Sequence, residues 1–216
     1  MTVTEPGGDR RLAGSRLAAA GLLVVDTVLT VGLAVAFAVV FAFTAGCAGQ
    51  GELCRGDRKS KILTLAAAWQ PVDAGSDPFV EHRPAAVDCP SFGYGPEGQF
   101  FEINTGSCNY ATFAQPLKLQ PGCDAELSFV FWHLALWGPD GATAHVAVQI
   151  GDTLVWQQNL SLPVFEKANE VRVRLSDVFD GGFFDPGEQV YFHVHNHGSN
   201  SYRIGELVAI TAPSEQ

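Results

Sequence analysis

The chain has 216 residues, with 13 Lys or Arg against 23 Asp or Glu and a net charge of −10. The imbalance is concentrated: residues 1–61 carry 7 basic and 5 acidic side chains, whereas residues 62–216 carry 6 and 18. A C-terminal part this acidic repels phosphate backbones and anionic lipid, which excludes nucleic acid as a partner.

In chain order, residues 1–16 read as a short cytoplasmic tail and residues 17–47 as one apolar segment. Thr27 to Gly46 is uncharged throughout, and about 20 helical residues cross a hydrocarbon core roughly 30 Å thick. Three readings compete for this segment. A cleaved secretory signal would use Arg10, Arg11 and Arg16 as its basic region, but the apolar part is too long. A lipoprotein signal would end at Thr44-Ala45-Gly46-Cys47 with Cys47 acylated, although Thr44 stands where Leu is usual. An uncleaved signal anchor, a single-pass transmembrane helix, fits the length best. Gly32, Ala34, Ala36 and Ala38 within it suit close packing against another helix. Asp26 reads as the cytoplasmic interface of the span. Basic residues flank both ends, so charge does not orient the helix. The cysteines and the β-rich remainder place the C-terminal domain on the periplasmic side of the inner (cytoplasmic) membrane.

Residues 48–61, rich in Gly and charge, read as a linker. None of Cys47, Cys54, Cys89, Cys108 and Cys123 forms a CxxC pair, so a zinc site of thiolates is not indicated. Beyond a membrane segment, scattered cysteines point to disulfides. Cys89 and Cys108 bracket a Gly-rich loop and one strand and are the preferred bridge.

Residues 62–216 read as one domain, enough chain for a single core. It shows no long amphipathic helix. Apolar and β-branched runs predict strands over 62–69, 99–104, 111–117, 126–137, 143–150, 153–158, 170–175, 189–196 and 204–210. Ile150-Gly151-Asp152-Thr153 is a tight hairpin, and Pro121-Gly122, Gly138-Pro139-Asp140-Gly141 and Asp185-Pro186-Gly187 are further turns. The fold class is mainly β, a β-sandwich of jelly-roll type.

Chemistry-bearing residues fall into three groups. His193, His195 and His197 alternate along one strand, so they face the same way with neighbours about 6.6 Å apart. With His133 and His145 from other strands they are candidate ligands for copper or zinc, ions that suit imidazole. No nucleophile elbow accompanies them, so the domain reads as non-enzymatic. Asp177, Asp180 and Asp185 surround Gly181-Gly182 and are candidate calcium ligands. Trp132 and Trp137 lie five apart and should face opposite sides, one in the core and one free to stack on a sugar or a protein; Trp69, Tyr94 and Phe183-Phe184 fall in or beside loops, mostly as core.

Phe101-Glu102-Ile103-Asn104-Thr105-Gly106-Ser107-Cys108-Asn109-Tyr110 and Phe192-His193-Val194-His195-Asn196-His197-Gly198-Ser199-Asn200-Ser201-Tyr202, with Trp132-His133 and Ala144-His145-Val146-Ala147, resemble a family of uncharacterised bacterial lipoproteins with one small β domain. The resemblance spans Trp69 to Ile210. It implies an envelope location and brings no activity. The long apolar segment and imperfect lipobox depart from that pattern. The leading functional expectation is a membrane-anchored binding or assembly module, an accessory subunit beside other integral-membrane subunits of a respiratory or photosynthetic complex. The alternatives are a histidine-rich metal-binding envelope lipoprotein and a carbohydrate-binding sandwich.

Overall fold

Alternation is the organising signal, and β6 (Glu126–His133) shows it most clearly: Leu127, Phe129, Phe131 and His133 are buried while the residues between them are not. A computed structural model describes residues 59–121, 125–179, 184–195 and 198–211. Among these, twelve strands form two antiparallel sheets. One sheet contains β1 (Lys59–Ile62), β3 (Tyr94–Glu97), β4 (Phe100–Asn104), β6, β9 (Lys167–Arg174), β11 (Ser201–Gly205) and β12 (Val208–Thr211). The other runs in the order β2 (Gln70–Pro71), β5 (Tyr110–Pro116), β10 (Gln189–His195), β7 (Thr143–Ile150), β8 (Thr153–Ser161).

β11 and β12 pair end to end along one edge of β6, and β9 takes its other edge. The seven strands of the first sheet therefore fill five positions. The inner faces of the two sheets meet in one core: Phe101 of β4 packs edge-on to Phe113 of β5 at 4.9 Å, and Phe131 of β6 lies 5.0 Å from Trp156 of β8. This is a β-sandwich, as the alternation predicts.

Most predicted strands are present within a few residues of their expected ends. β7 matches throughout, and the hairpin into β8 turns at Gly151, whose φ of 52° is the left-handed conformation glycine tolerates. Three expectations need correction. The strand expected over 62–69 does not form: β1 ends at Ile62, Ala66–Ala68 makes a 3-10 turn, and β2 starts in the opposite sheet. β1 itself begins at Lys59, inside the stretch read as linker, because its polar residues form an edge strand on β12. The strand expected over 204–210 breaks at Glu206-Leu207, where Leu207 N–H donates to Thr64 Oγ1 at 2.8 Å and lets β12 pair β1 while β11 pairs β4.

Neither Trp132 nor Trp137 is in the core. β6 ends at His133, so the parity argument does not extend to Trp137, which is 62% exposed. Trp132 lies on the outer face beneath the Arg203 guanidinium, 4.6 Å from the ring centre, and donates to Glu166 Oε1. Trp69 and Phe184 are buried as expected. The apolar segment 17–47, Cys47, Cys54, Cys123, Asp180 and His197 lie outside the described residues. Among the described residues no helix is long and apolar enough to cross a membrane.

Candidate metal centre

Strand β10 aims Val190, Phe192 and Val194 into the core and Tyr191, His193 and His195 to the outside of its sheet. Register then builds a patch. His195 pairs with Tyr110 of β5 on one side and His145 of β7 on the other; His193 sits one row along, between Thr112 and Ala147. The ligand atoms of His145, His193 and His195 all lie within 4.8 Å of one another.

An outer face should be wet, yet His193 is 0% exposed. It is covered by a flap, residues 77–83, that crosses the sheet. Phe79 stacks on the His193 ring at 4.2 Å and 12°. His82, at the end of the 3-10 turn Val80–His82, lies 4.6 Å ring to ring from His195, 5.8 Å from His145 and 6.2 Å from His193. The flap is latched at Asp77, whose Oδ1 accepts from the Phe79 N–H and whose Oδ2 accepts from Arg83 Nη1 and Tyr110 Oη, both at 2.7 Å. Six residues beyond the flap the Cys89–Cys108 disulfide, the bridge expected from sequence, ties the chain to the residues just before β5. Asn109 reinforces the tie through Asp88 and Ala86.

The latch sets the state of the histidines. Burial pushes the Tyr110 phenol above its ordinary value, so it keeps its proton and donates it. Thr112 Oγ1–H donates to Tyr110 Oη at 3.2 Å, which leaves His193 Nδ1–H to donate to Thr112 Oγ1 at 2.9 Å. The chain Asp77–Tyr110–Thr112–His193 thus runs one way and leaves the lone pair on His193 Nε2. Burial first, and then the neighbouring His195, His145 and His82, push the His193 pKa down to about 2, so the ring is neutral at ordinary pH. His145 Nε2 lies 3.0 Å from Gln157 Oε1, an acceptor, which directs the lone pair to Nδ1. Neither His193 Nε2 nor His145 Nδ1 has a hydrogen-bond partner among the described residues. Two imidazoles, each engaged at one ring nitrogen and unpartnered at the other, are the donor set a copper or zinc ion takes.

Of the residues predicted from sequence, the fold brings together His145, His193 and His195. His133 is not among them: it faces inward on β6 of the other sheet, beside Phe131, with Nδ1 on its neighbour's carbonyl. Asp177 sits on the single helical turn Leu175–Val178, and Asp177 and Asp185 are exposed. Among the described residues they join no group of three metal-type side chains. Sequence reasoning missed His82, Asp77, Arg83, Tyr110 and Thr112. His82 stands alone in a loop, and only the alternation Tyr110, Thr112 opposite His195 and His193 hinted at the rest.

The fold and site together define a β-sandwich with a roofed histidine cluster on one outer face. No family model and no curated protein matches the chain. Among solved structures, a mutant of the carbohydrate-binding module CBM29-2 complexed with cellulohexaose is 15% identical, covering 73% of this chain and 94% of its own, with a TM-score of 0.38. A cyclase from Fischerella sp. TAU is 14% identical over 73% and 90%, with a TM-score of 0.39. The adhesin domain of Lys-gingipain from Porphyromonas gingivalis w83 is 12% identical over 70% and 99%, with a TM-score of 0.37. At these scores the likeness carries no argument about what the chain binds.

Proposed function

We propose that this domain is a non-enzymatic binding module that holds a copper or zinc ion on His145, His193 and His195. One observation carries the reading: His193 Nε2 is fully buried, carries a lone pair, makes no hydrogen bond among the described residues and sits against two further imidazoles. Burying a polar atom with nothing to bind is costly, and a coordinated ion removes that cost. The apolar stretch Thr27–Gly46 would hold the module at the periplasmic face of the inner membrane, beside other integral-membrane subunits.

The test is the metal content of full-length protein extracted in mild detergent without added metal, followed by a competition titration. Stoichiometric copper or zinc, lost in the double variant His193→Ala, His195→Ala, is the expected result. A wild-type chain that competes for neither ion at micromolar concentration sinks the reading. Crosslinking in native membranes that recovered only monomers would count against the assembly role.

A further inference from the structure

Three ligands leave a fourth position, and its occupant decides what the site can do. An open position admits water or substrate; a protein ligand closes the centre. We infer that His82 is the fourth ligand and that the flap closes a tetrahedral four-imidazole zinc centre. The inference rests on the three-histidine reading above and extends it.

The argument is geometric. Among the rings of His82, His145, His193 and His195 the six centroid separations are 4.6, 5.7, 5.7, 5.8, 5.9 and 6.2 Å. Four points with six near-equal separations are the corners of a tetrahedron and cannot lie in a plane. With edges near 5.7 Å its centre is about 3.5 Å from each ring centre. A zinc–imidazole bond of about 2.0–2.1 Å, plus about 1.1 Å from nitrogen to ring centre, requires about 3.2 Å. The ring centres are therefore spaced for one tetrahedral ion after a small contraction, provided His82 also turns, because only the ring nitrogens of His145, His193 and His195 already lie within 4.8 Å of one another. Tetrahedral nitrogen ligation suits zinc, whereas copper(II) takes a square-planar or tetragonal set.

His82 is the movable corner. The other three are fixed by strand register, while His82 rides on the flap and its Nε2 rests 3.4 Å from exposed Glu81 Oε1. That contact is solvent-screened and holds the ring weakly. Turning the ring from Glu81 toward the cluster needs no change in either sheet. The latch keeps the flap seated while it happens, because Asp77 and Arg83 bracket the turn that carries His82.

Cobalt(II), which reports its own coordination geometry, tests this on the full-length chain in detergent. The wild-type complex should show the intense visible bands of a tetrahedral ion. His82→Gly should weaken them and lower zinc affinity by at least the roughly 10–100-fold that losing a hydrogen-bond partner of a ligand costs. Added imidazole should then restore the tetrahedral spectrum, a rescue that a merely structural role for His82 would not allow. Bands and affinity unchanged in His82→Gly would overturn the inference and leave three-histidine binding standing. A wild-type chain that takes up neither cobalt nor zinc would overturn the reading beneath it as well. His82 is exposed, so thermal unfolding of the metal-free variant should match the wild type and separate ligand loss from misfolding.

Discussion

Thr112 touches no proposed ligand atom and yet fixes the chemistry of one. Its hydroxyl stands between Tyr110 and the Nδ1 of His193. Thr112→Val keeps the shape and removes the hydroxyl that accepts Nδ1–H, leaving the ring its backbone bond to Ala111, so the tautomer of the inward nitrogen is less firmly imposed. Zinc affinity should fall by roughly 10–100-fold with the fold retained, read by competition titration; an unchanged affinity would mean the relay does not act on the ring. The ring it holds, His193, yields a pH prediction for metal-free protein. Unfolded, His193 takes up a proton below about pH 6.5; folded, it resists protonation down to about 2. The unfolded state therefore binds the extra proton between those values, and stability falls as pH falls, by up to about 1.4 kcal/mol per pH unit. Urea midpoints at pH 7 and 5 with chelator present check this, and His193→Gln should flatten the slope. His193, His195 and His145 were legible because strand periodicity alone puts a His-x-His pair on one face. His82 was not, since a lone histidine in an irregular segment has no periodicity to place it.

At the scale of elements, the flap is a loop held by chemistry at both ends. Asp77 is wholly buried as a side chain, and Arg83 neutralises it. Arg83→Met would strand that carboxylate and should cost roughly 3 kcal/mol, measured by denaturant unfolding. It should also weaken metal binding, because the turn bearing His82 loses its latch. A loss below about 0.5 kcal/mol would show the latch to be solvated and dispensable. The strands themselves were readable wherever two-residue alternation runs long, as in β6 and β7. They were unreadable where pairing comes from neighbours and not from pattern: β2 is two residues on β5, and β3 contains Gly95 and Pro96, which signal a turn. The break between β11 and β12 has the same origin. Apolar residues continue through it, and only the partners of Leu207 reveal it.

For the whole molecule, the core is one aromatic seam joining the two sheets. Phe131 contacts Trp156 across the interior and Tyr202 on its own sheet, and it is fully buried. Phe131→Ala should cost about 3–5 kcal/mol in thermal or denaturant unfolding, because neither sheet can collapse into the space. The histidine cluster lies on the opposite side of the second sheet from this seam. Core damage should therefore lower stability without changing zinc affinity in the protein that remains folded. A sandwich could be anticipated from strand count and turn spacing. Which strand joined which sheet could not, since apolar faces in both sheets obey the same alternation.

The staple at Cys89 and Cys108 has a temporal consequence. A roof free at both ends could lift away and let an ion exchange at the speed of loop motion. Here the chain is stapled six residues past the flap, and opening requires the Asp77 latch to break first. Exchange should be gated: slow uptake and slower release, both accelerated together when the bridge is reduced. Such a module, if loaded as proposed, would keep its ion through encounters with weaker binders and surrender it when thiols arrive. The dwell time of the metal would then report the redox state of its surroundings.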